Sequence, residues 1–216
     1  MDASTIQNIT IFAIPLILAI TLHEASHAFA ARYFGDSTAY MLGRMTLNPV
    51  KHIDPIWTIA VPLVLLLLHS PFLFGAAKPV PVNFGALRNP KRDMIWVAAA
   101  GPASNLLMMI IWGVVLKIAL EFPDSEPATY LALVGQAGVL VNALIMIFNL
   151  FPLLPLDGGR ILMGLLPGRL AYSFSKTEPY GMFILVALLL TPVMSGILGP
   201  LIRMSTNAIY AIMGIS

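Results

Sequence analysis

Long apolar runs are the feature that most constrains how this chain can fold. Four runs, at 9–31, 56–74, 94–120 and 129–152, carry few charges, and prolines and glycines interrupt a fifth at 180–200. In lipid only helices and closed barrels satisfy their own backbone hydrogen bonds, and no run alternates as barrel strands do. Because a spanning helix needs about 20 apolar residues, the sequence predicts an all-α polytopic membrane protein with about 4–6 transmembrane helices.

The composition agrees with a chain that folds in lipid. Of its 216 residues, 58% are hydrophobic and 10% are charged, whereas soluble domains carry about 25% charged residues. The chain has no cysteine, which excludes disulfides, thiolate zinc sites and thiol nucleophiles. Its net charge of +2 is too small to indicate a nucleic-acid partner.

Charge placement predicts the orientation of the chain. Basic residues follow the first run, precede the third and follow the fourth, whereas the turn 121–127 is acidic. The positive-inside bias therefore assigns the three basic stretches to the cytoplasm. Run 56–74, with cytoplasmic flanks, cannot then cross only once, and we expect it to be re-entrant unless segment 75–92 threads back through the interior. The Pro-Val alternation of 78–84 is typical of an extended edge segment.

The first run contains the sequence His23-Glu24-Ala25-Ser26-His27. Residues four apart share one face of a helix, so the two histidines can hold one metal ion, and Glu24 can deprotonate a metal-bound water. A chance pentapeptide or structural histidines are the alternative. An acidic residue in the middle of a membrane helix costs about 2.5–3.5 kcal/mol, which disfavours that alternative.

A third ligand is needed, since catalytic zinc uses three protein ligands and a water. Imidazoles without thiols favour zinc, although iron or cobalt could also bind. Asp157 lies in the apolar stretch Asn149-Leu-Phe-Pro-Leu-Leu-Pro-Leu-Asp157-Gly-Gly. The prolines end the fourth helix and the glycines permit a sharp turn, so the carboxylate is expected to project from an unwound helix end. A plain helix-capping aspartate is the alternative.

These motifs resemble those of the site-2 proteases, a family of intramembrane zinc metalloproteases. HEASH at 23–27, RMTLNPVKHIDP at 44–55, GPASN at 101–105 and NLFPLLPLDGG at 149–159 occur in the family's order. The resemblance covers most of residues 15–165 and is closest to the compact branch without a PDZ domain.

The resemblance implies one zinc per chain, held by His23, His27 and Asp157, with Glu24 as the general base. It also implies that Asn149 helps to position the substrate or the developing oxyanion. Asn105 in GPASN is either a substrate contact or a polar link between helices. The implied partners are transmembrane or signal-peptide-like protein substrates and the bilayer, in the inner membrane of a prokaryotic cell, with the active site toward the cytoplasm.

We therefore expect a single membrane metalloprotease domain over 1–216, with a catalytic core over 9–165 and C-terminal helices over 180–214. The tail 201–216 is predicted to lie at the membrane interface. Two other functions remain open: an intramembrane metal-ion transporter, and an inactive module that binds membrane helices on the same fold. The sequence leaves the oligomeric state open.

Overall fold

The computed structural model describes residues 3–55 and 78–215, together with Ala60 and Val64. Over these residues the chain is helical and contains no β-strand, which confirms the predicted all-α fold. The eight α-helices of this part of the chain are α1 (Ala3–Tyr33), α2 (Thr38–Met41), α3 (Pro90–Leu120), α4 (Glu126–Asn149), α5 (Asp157–Leu165), α6 (Gly168–Ser175), α7 (Glu178–Leu189) and α8 (Pro192–Met213). Short 3₁₀ turns cover Pro49–His52 and Phe84–Ala86.

Three of these helices are long and apolar enough to cross a membrane: α1 from Ile9 onward, α3 and α4. Helices α7 and α8 together would make a fourth span, bent by 84° where they meet. Apart from Ala60 and Val64, the predicted run 56–74 lies outside the described residues. The part of the chain that the structure describes thus supplies three or four spans of a polytopic membrane protein.

The last apolar run, predicted to be interrupted within 180–200, has its break before Pro192. The break falls between α7 and α8, because Pro192 occupies the first turn of α8, where its missing N–H breaks no hydrogen bond. Pro200 lies inside α8, which continues to Met213. Residues 201–213 therefore continue α8 without a break, and their place at the membrane interface stays a prediction. They are the second half of a helix that packs Ile209 into the core against Gly113.

The long helices pack as an antiparallel series, α1 against α3 and α3 against α4. Along α1, Ala19 contacts Asn105 while His27, two turns later, contacts Val97, so α3 runs in the opposite direction. Between α3 and α4, Trp112 packs against Gly138 and Leu116 against Gly135, so these two helices are antiparallel as well. The ends of α1 and α4 and the beginning of α3 consequently lie at one level, and this level holds the candidate site.

Residues 78–83 run without helix beside the end of α1. The N–H of Lys78 donates to the carbonyl of His52 (2.9 Å) and that of Asn83 to Oδ2 of Asp36 (2.7 Å). The segment, predicted to be extended, is thus bonded to the loops that follow α1. His52 and Lys78, which flank the undescribed stretch, lie side by side.

Candidate metal centre and active site

Three side chains from α1 and α5 converge on one point. Nε2 of His23 lies 3.1 Å from Nε2 of His27, and Asp157 places Oδ2 3.2 Å from the first and Oδ1 3.4 Å from the second. Tetrahedral ligands at 2.0–2.1 Å from zinc would be about 3.3–3.4 Å apart. Among the described residues, these three side chains form the one cluster of His, Cys, Asp or Glu that is close enough to hold a metal ion. Its spacing and donor set fit zinc.

The carboxylate of Asp157 supports the same interpretation. Its Oδ2 is buried without a hydrogen bond, an arrangement that is costly unless a cation lies nearby. Burial raises the pKa of this carboxyl, but the facing imidazoles of His23 and His27 lower it more, so its pKa lies below the usual value. A carboxylate binds a metal in its ionised form, the form that this shift favours.

The other ring nitrogen of each histidine has its own partner. Nδ1 of His27 lies 2.8 Å from the carbonyl oxygen of Val97, and Nδ1 of His23 lies 2.6 Å from Oδ1 of Asn105. A proton on Nδ1 that donates to such an acceptor leaves the lone pair of Nε2 for a metal. Both imidazoles are thus oriented from behind by α3.

The loop after α4 presents Asp157 differently from the prediction. Asp157 is the first residue of helix α5 rather than the end of an unwound helix, and Gly158 lies within α5. A Cβ on Gly158 would lie 2.1 Å from the carbonyl oxygen of Leu150. This glycine is needed for close packing of α5 on the preceding loop, rather than for a sharp turn.

Gly101 of the GPASN motif lies directly against the rings of His23 and His27. A Cβ there would lie 2.4 Å from Nε2 of His27 and 2.6 Å from Cε1 of His23. Any larger residue would occupy the space of the imidazoles. The small residue predicted for helix packing therefore also leaves room for the candidate ligands.

A cavity of about 560 Å³ opens over the three side chains. Glu24 and Asn149 line it, and the extended segment contributes Val80 and Val82 to its wall. Oε2 of Glu24 accepts a hydrogen bond from the backbone N–H of Val80 (2.7 Å). Arg160 lines the same cavity and pairs with Glu178 at 2.8 Å.

The structure thus brings together five of the six predicted site residues around one cavity: His23, Glu24, His27, Asn149 and Asp157. Nδ2 of Asn149 donates to the carbonyl of Ile145 in its own helix (2.9 Å). Asn105 is fully buried behind His23 instead, where its Nδ2 donates to Asn142.

Sequence reasoning missed Asn142 and the donor at Val80. Asn142 is an amide within an apolar run, a pattern that indicates a buried polar contact in a membrane helix. The N–H of Val80 belongs to the backbone, and no residue type identifies it.

Comparisons with known proteins indicate the same class of enzyme. The sequence profile of peptidase family M50 matches residues 124–192. YwhC of Bacillus subtilis (strain 168), provisionally named a zinc metalloprotease, is 36% identical over 199 residues, which cover 91% of this chain and 87% of YwhC. No solved structure is significantly similar to the chain.

More distant relatives carry the same type of name. Rip2 of Mycolicibacterium smegmatis, also provisionally named a zinc metalloprotease, is 29% identical over 180 residues, which cover 83% of this chain and 66% of Rip2. Rip2 of Mycobacterium tuberculosis H37Rv is 27% identical over the same shares of the two chains.

The match to YwhC extends over nearly the whole chain, and the sequence identity is high enough to place both proteins in the same family. The profile match includes both Asn149 and Asp157. The apolar helices α1, α3 and α4 make the protein an integral membrane protein. The chain belongs to peptidase family M50, the site-2 proteases, and is a zinc metallopeptidase.

Proposed function

We propose that this protein is an intramembrane protease that hydrolyses peptide bonds within or near the transmembrane segments of other membrane proteins. The observation that carries the proposal is the convergence of His23, His27 and Asp157 beside Glu24 in one cavity. Both histidines belong to a helix long and apolar enough to span a bilayer. The reacting atoms would thus lie within the span rather than in an external domain.

In this proposal His23, His27 and Asp157 hold one zinc ion per chain. Zinc bound there would act as a Lewis acid and lower the pKa of a bound water toward about 7. The ligand distances of 3.1–3.4 Å support this assignment. The hydrogen bonds at both Nδ1 atoms support it as well, because they leave Nε2 of each ring directed at the site.

Glu24 is the proposed general base. Its carboxylate lines the cavity beside the three ligands and is oriented by the N–H of Val80. It would take a proton from the attacking water and deliver that proton to the leaving nitrogen of the peptide. Asn149, which also lines the cavity, is proposed to hold the substrate or its developing oxyanion.

A transmembrane substrate must unwind before attack, because its carbonyl groups are hydrogen-bonded within its own helix. The extended residues 78–83 lie along the cavity and contribute Val80 and Val82 to its wall. The N–H groups of Lys78, Val80 and Asn83 already have partners, so an unwound substrate strand could add to this segment by donating to its backbone carbonyls. This supports transmembrane or signal-peptide-like proteins as the substrate class.

The positive-inside bias supports a cytoplasmic position for the end of α1 that carries the two histidines. The bacterial relatives support the inner membrane of a prokaryotic cell as the location. In this orientation the cavity lies toward the cytoplasmic leaflet, and water would reach it from that side.

A metal-ion transporter is the second candidate function. Such a protein needs ligands spread across the membrane along a path. Over the described ranges, the metal-binding group is the single compact trio, which favours the protease. The inactive helix-binding module is disfavoured because Glu24 is present and lines the cavity.

The test uses the purified protein reconstituted in liposomes with a single-span substrate, in water enriched in ¹⁸O. We expect two products, cut within or near the span, with one ¹⁸O atom in the new carboxyl group by mass spectrometry. Zinc flux into the liposomes without cleavage would favour the transporter. Substrate binding without cleavage in the presence of zinc would favour the inactive module. Either of these two results would overturn the proposed protease.

A further inference from the structure

We propose that Asn105 and Asn142 fix the tautomer of His23, so that its proton stays on Nδ1 and its Nε2 remains available for the metal. The proposal rests on the zinc site proposed above and adds two positioning residues to it. Both asparagines are fully buried, at 0% exposure. Water therefore does not compete for their hydrogen bonds.

The orientation of the Asn142 amide is set by a backbone carbonyl. Its Nδ2 lies 2.8 Å from the carbonyl oxygen of Gly138, one turn earlier in α4. A carbonyl can only accept a hydrogen bond, so the NH₂ group must face it. Oδ1 of Asn142 is then left to accept a hydrogen bond from α3.

The Asn105 amide is oriented by two acceptors at once. Its Nδ2 lies 2.9 Å from Oδ1 of Asn142 and 3.3 Å from the carbonyl oxygen of Ala19. The two N–H bonds of this amide are thereby used, one for each acceptor. Its Oδ1 must then face His23, where it lies 2.6 Å from Nδ1.

An acceptor at this position requires a proton on Nδ1 of His23. The other tautomer would carry its proton on Nε2, the atom that faces His27 and Asp157, and could not bind a metal through it. Flipping both amides to suit that tautomer would bring two carbonyl oxygens against amide oxygens in a buried site. The backbone carbonyls of Ala19 and Gly138 thus determine which nitrogen of His23 is free.

This role differs from the direct substrate contact considered for Asn105. Asn105 is fully buried and its polar atoms bond to His23, Ala19 and Asn142. The equivalent partner of His27 is a backbone carbonyl, that of Val97, which no substitution removes. A substitution at Asn105 therefore removes the hydrogen bond that orients the His23 ring and leaves the ring itself in place.

The test measures zinc affinity by competition with a chromophoric chelator, using the full-length protein in detergent. We expect Asn105→Leu, which has a similar volume but no acceptor, to bind zinc about 10–100-fold more weakly than the wild type. At saturating zinc its KM should stay unchanged. Asn142→Leu should show a smaller loss. Ser104→Ala is the matched control, because among the described residues the Ser104 hydroxyl donates to the carbonyl of Gly101 in its own helix.

Unchanged zinc affinity in Asn105→Leu would overturn the proposal. A raised KM in that case would assign Asn105 to the substrate, and a lower melting temperature alone would assign it to helix packing. If Asn105→Leu does not fold, Asn142→Leu decides, since wild-type zinc affinity there would overturn the proposal equally. Zinc binding and cleavage by the wild type are recorded in the same preparations. Their absence would overturn the proposed function itself.

Discussion

The backbone N–H of Val80 donates to Oε2 of Glu24 across 2.7 Å. Val80 lies between Pro79 and Pro81, neither of which has an N–H. The prolines restrict the segment to extended conformations. Val80 is therefore the one residue of Pro79-Val80-Pro81 with a backbone N–H to donate. One short segment therefore lines the cavity and also orients the carboxylate proposed as the general base.

Replacing this donor should slow catalysis without removing the metal. Val80→Pro deletes the N–H, and we expect kcat to fall about tenfold or more, because a hydrogen bond to a charged group contributes about 1.5–3 kcal/mol. Zinc content and KM should stay near the wild-type values. Steady-state kinetics with zinc analysis checks this. Val80→Ala, which keeps the N–H, is the control, and equal kcat in both variants would refute the role of the donor.

Gly101→Ala should damage the metal centre directly. The added Cβ would lie 2.4 Å from Nε2 of His27, so the rings must move and zinc affinity should fall at least about tenfold. Competition with a chelator measures the affinity. Gly196→Ala is the matched control, since a Cβ there meets nothing within 4 Å. Wild-type affinity in Gly101→Ala would mean that the rings can shift without cost to the centre.

Much of this architecture follows from local sequence rules. Apolar runs of sufficient length predict α1, α3 and α4, and four-residue spacing places His23 and His27 on one face. The all-α fold is confirmed, and the structure brings Asp157 to the two histidines. The approach of Asp157 depends on the antiparallel order of α3 and α4, which the acidic turn 121–127 allowed the sequence to predict.

Other features depend on tertiary contacts that local rules do not contain. The glycine pair after Asp157 predicted a turn, whereas Gly158 fits within a helix because the backbone of Leu150 lies against it. Several prolines and glycines within 192–200 could each have broken the last apolar run, and the sequence alone did not show that the chain bends before Pro192. The partner of Asn105 could not be predicted, because it depends on which turn of α1 faces α3.

Removal of the metal should abolish activity reversibly. A strong chelator should stop cleavage and added zinc should restore it. Because ligand imidazoles must be unprotonated, binding releases protons and the apparent zinc affinity should fall as the pH is lowered. Equilibrium dialysis at several pH values checks this, with a His23→Ala/His27→Ala double variant as the zinc-free reference. Cleavage that persists after complete zinc removal would exclude a zinc mechanism.

Positions 51 and 91, on either side of the extended segment along the chain, should be accessible from the same face of the membrane. The N–H of Lys78 is bonded to the carbonyl of His52, and α3 begins at the level where α1 ends. We expect single cysteines, Lys51→Cys and Lys91→Cys in this cysteine-free chain, to react with an impermeant reagent from the cytoplasmic side. Labelling of the two positions from opposite faces would contradict this topology and the proposed location of the cavity.

The central claim is that Glu24 acts as the base of a zinc centre formed by His23, His27 and Asp157. The most direct test compares cleavage of one transmembrane substrate by the wild type and Glu24→Gln, with bound zinc quantified in the same samples. We predict one zinc per chain in both proteins and a loss of at least about a thousandfold in rate for the variant. A Glu24→Gln protein that keeps a tenth of the wild-type rate with its zinc in place would contradict the account.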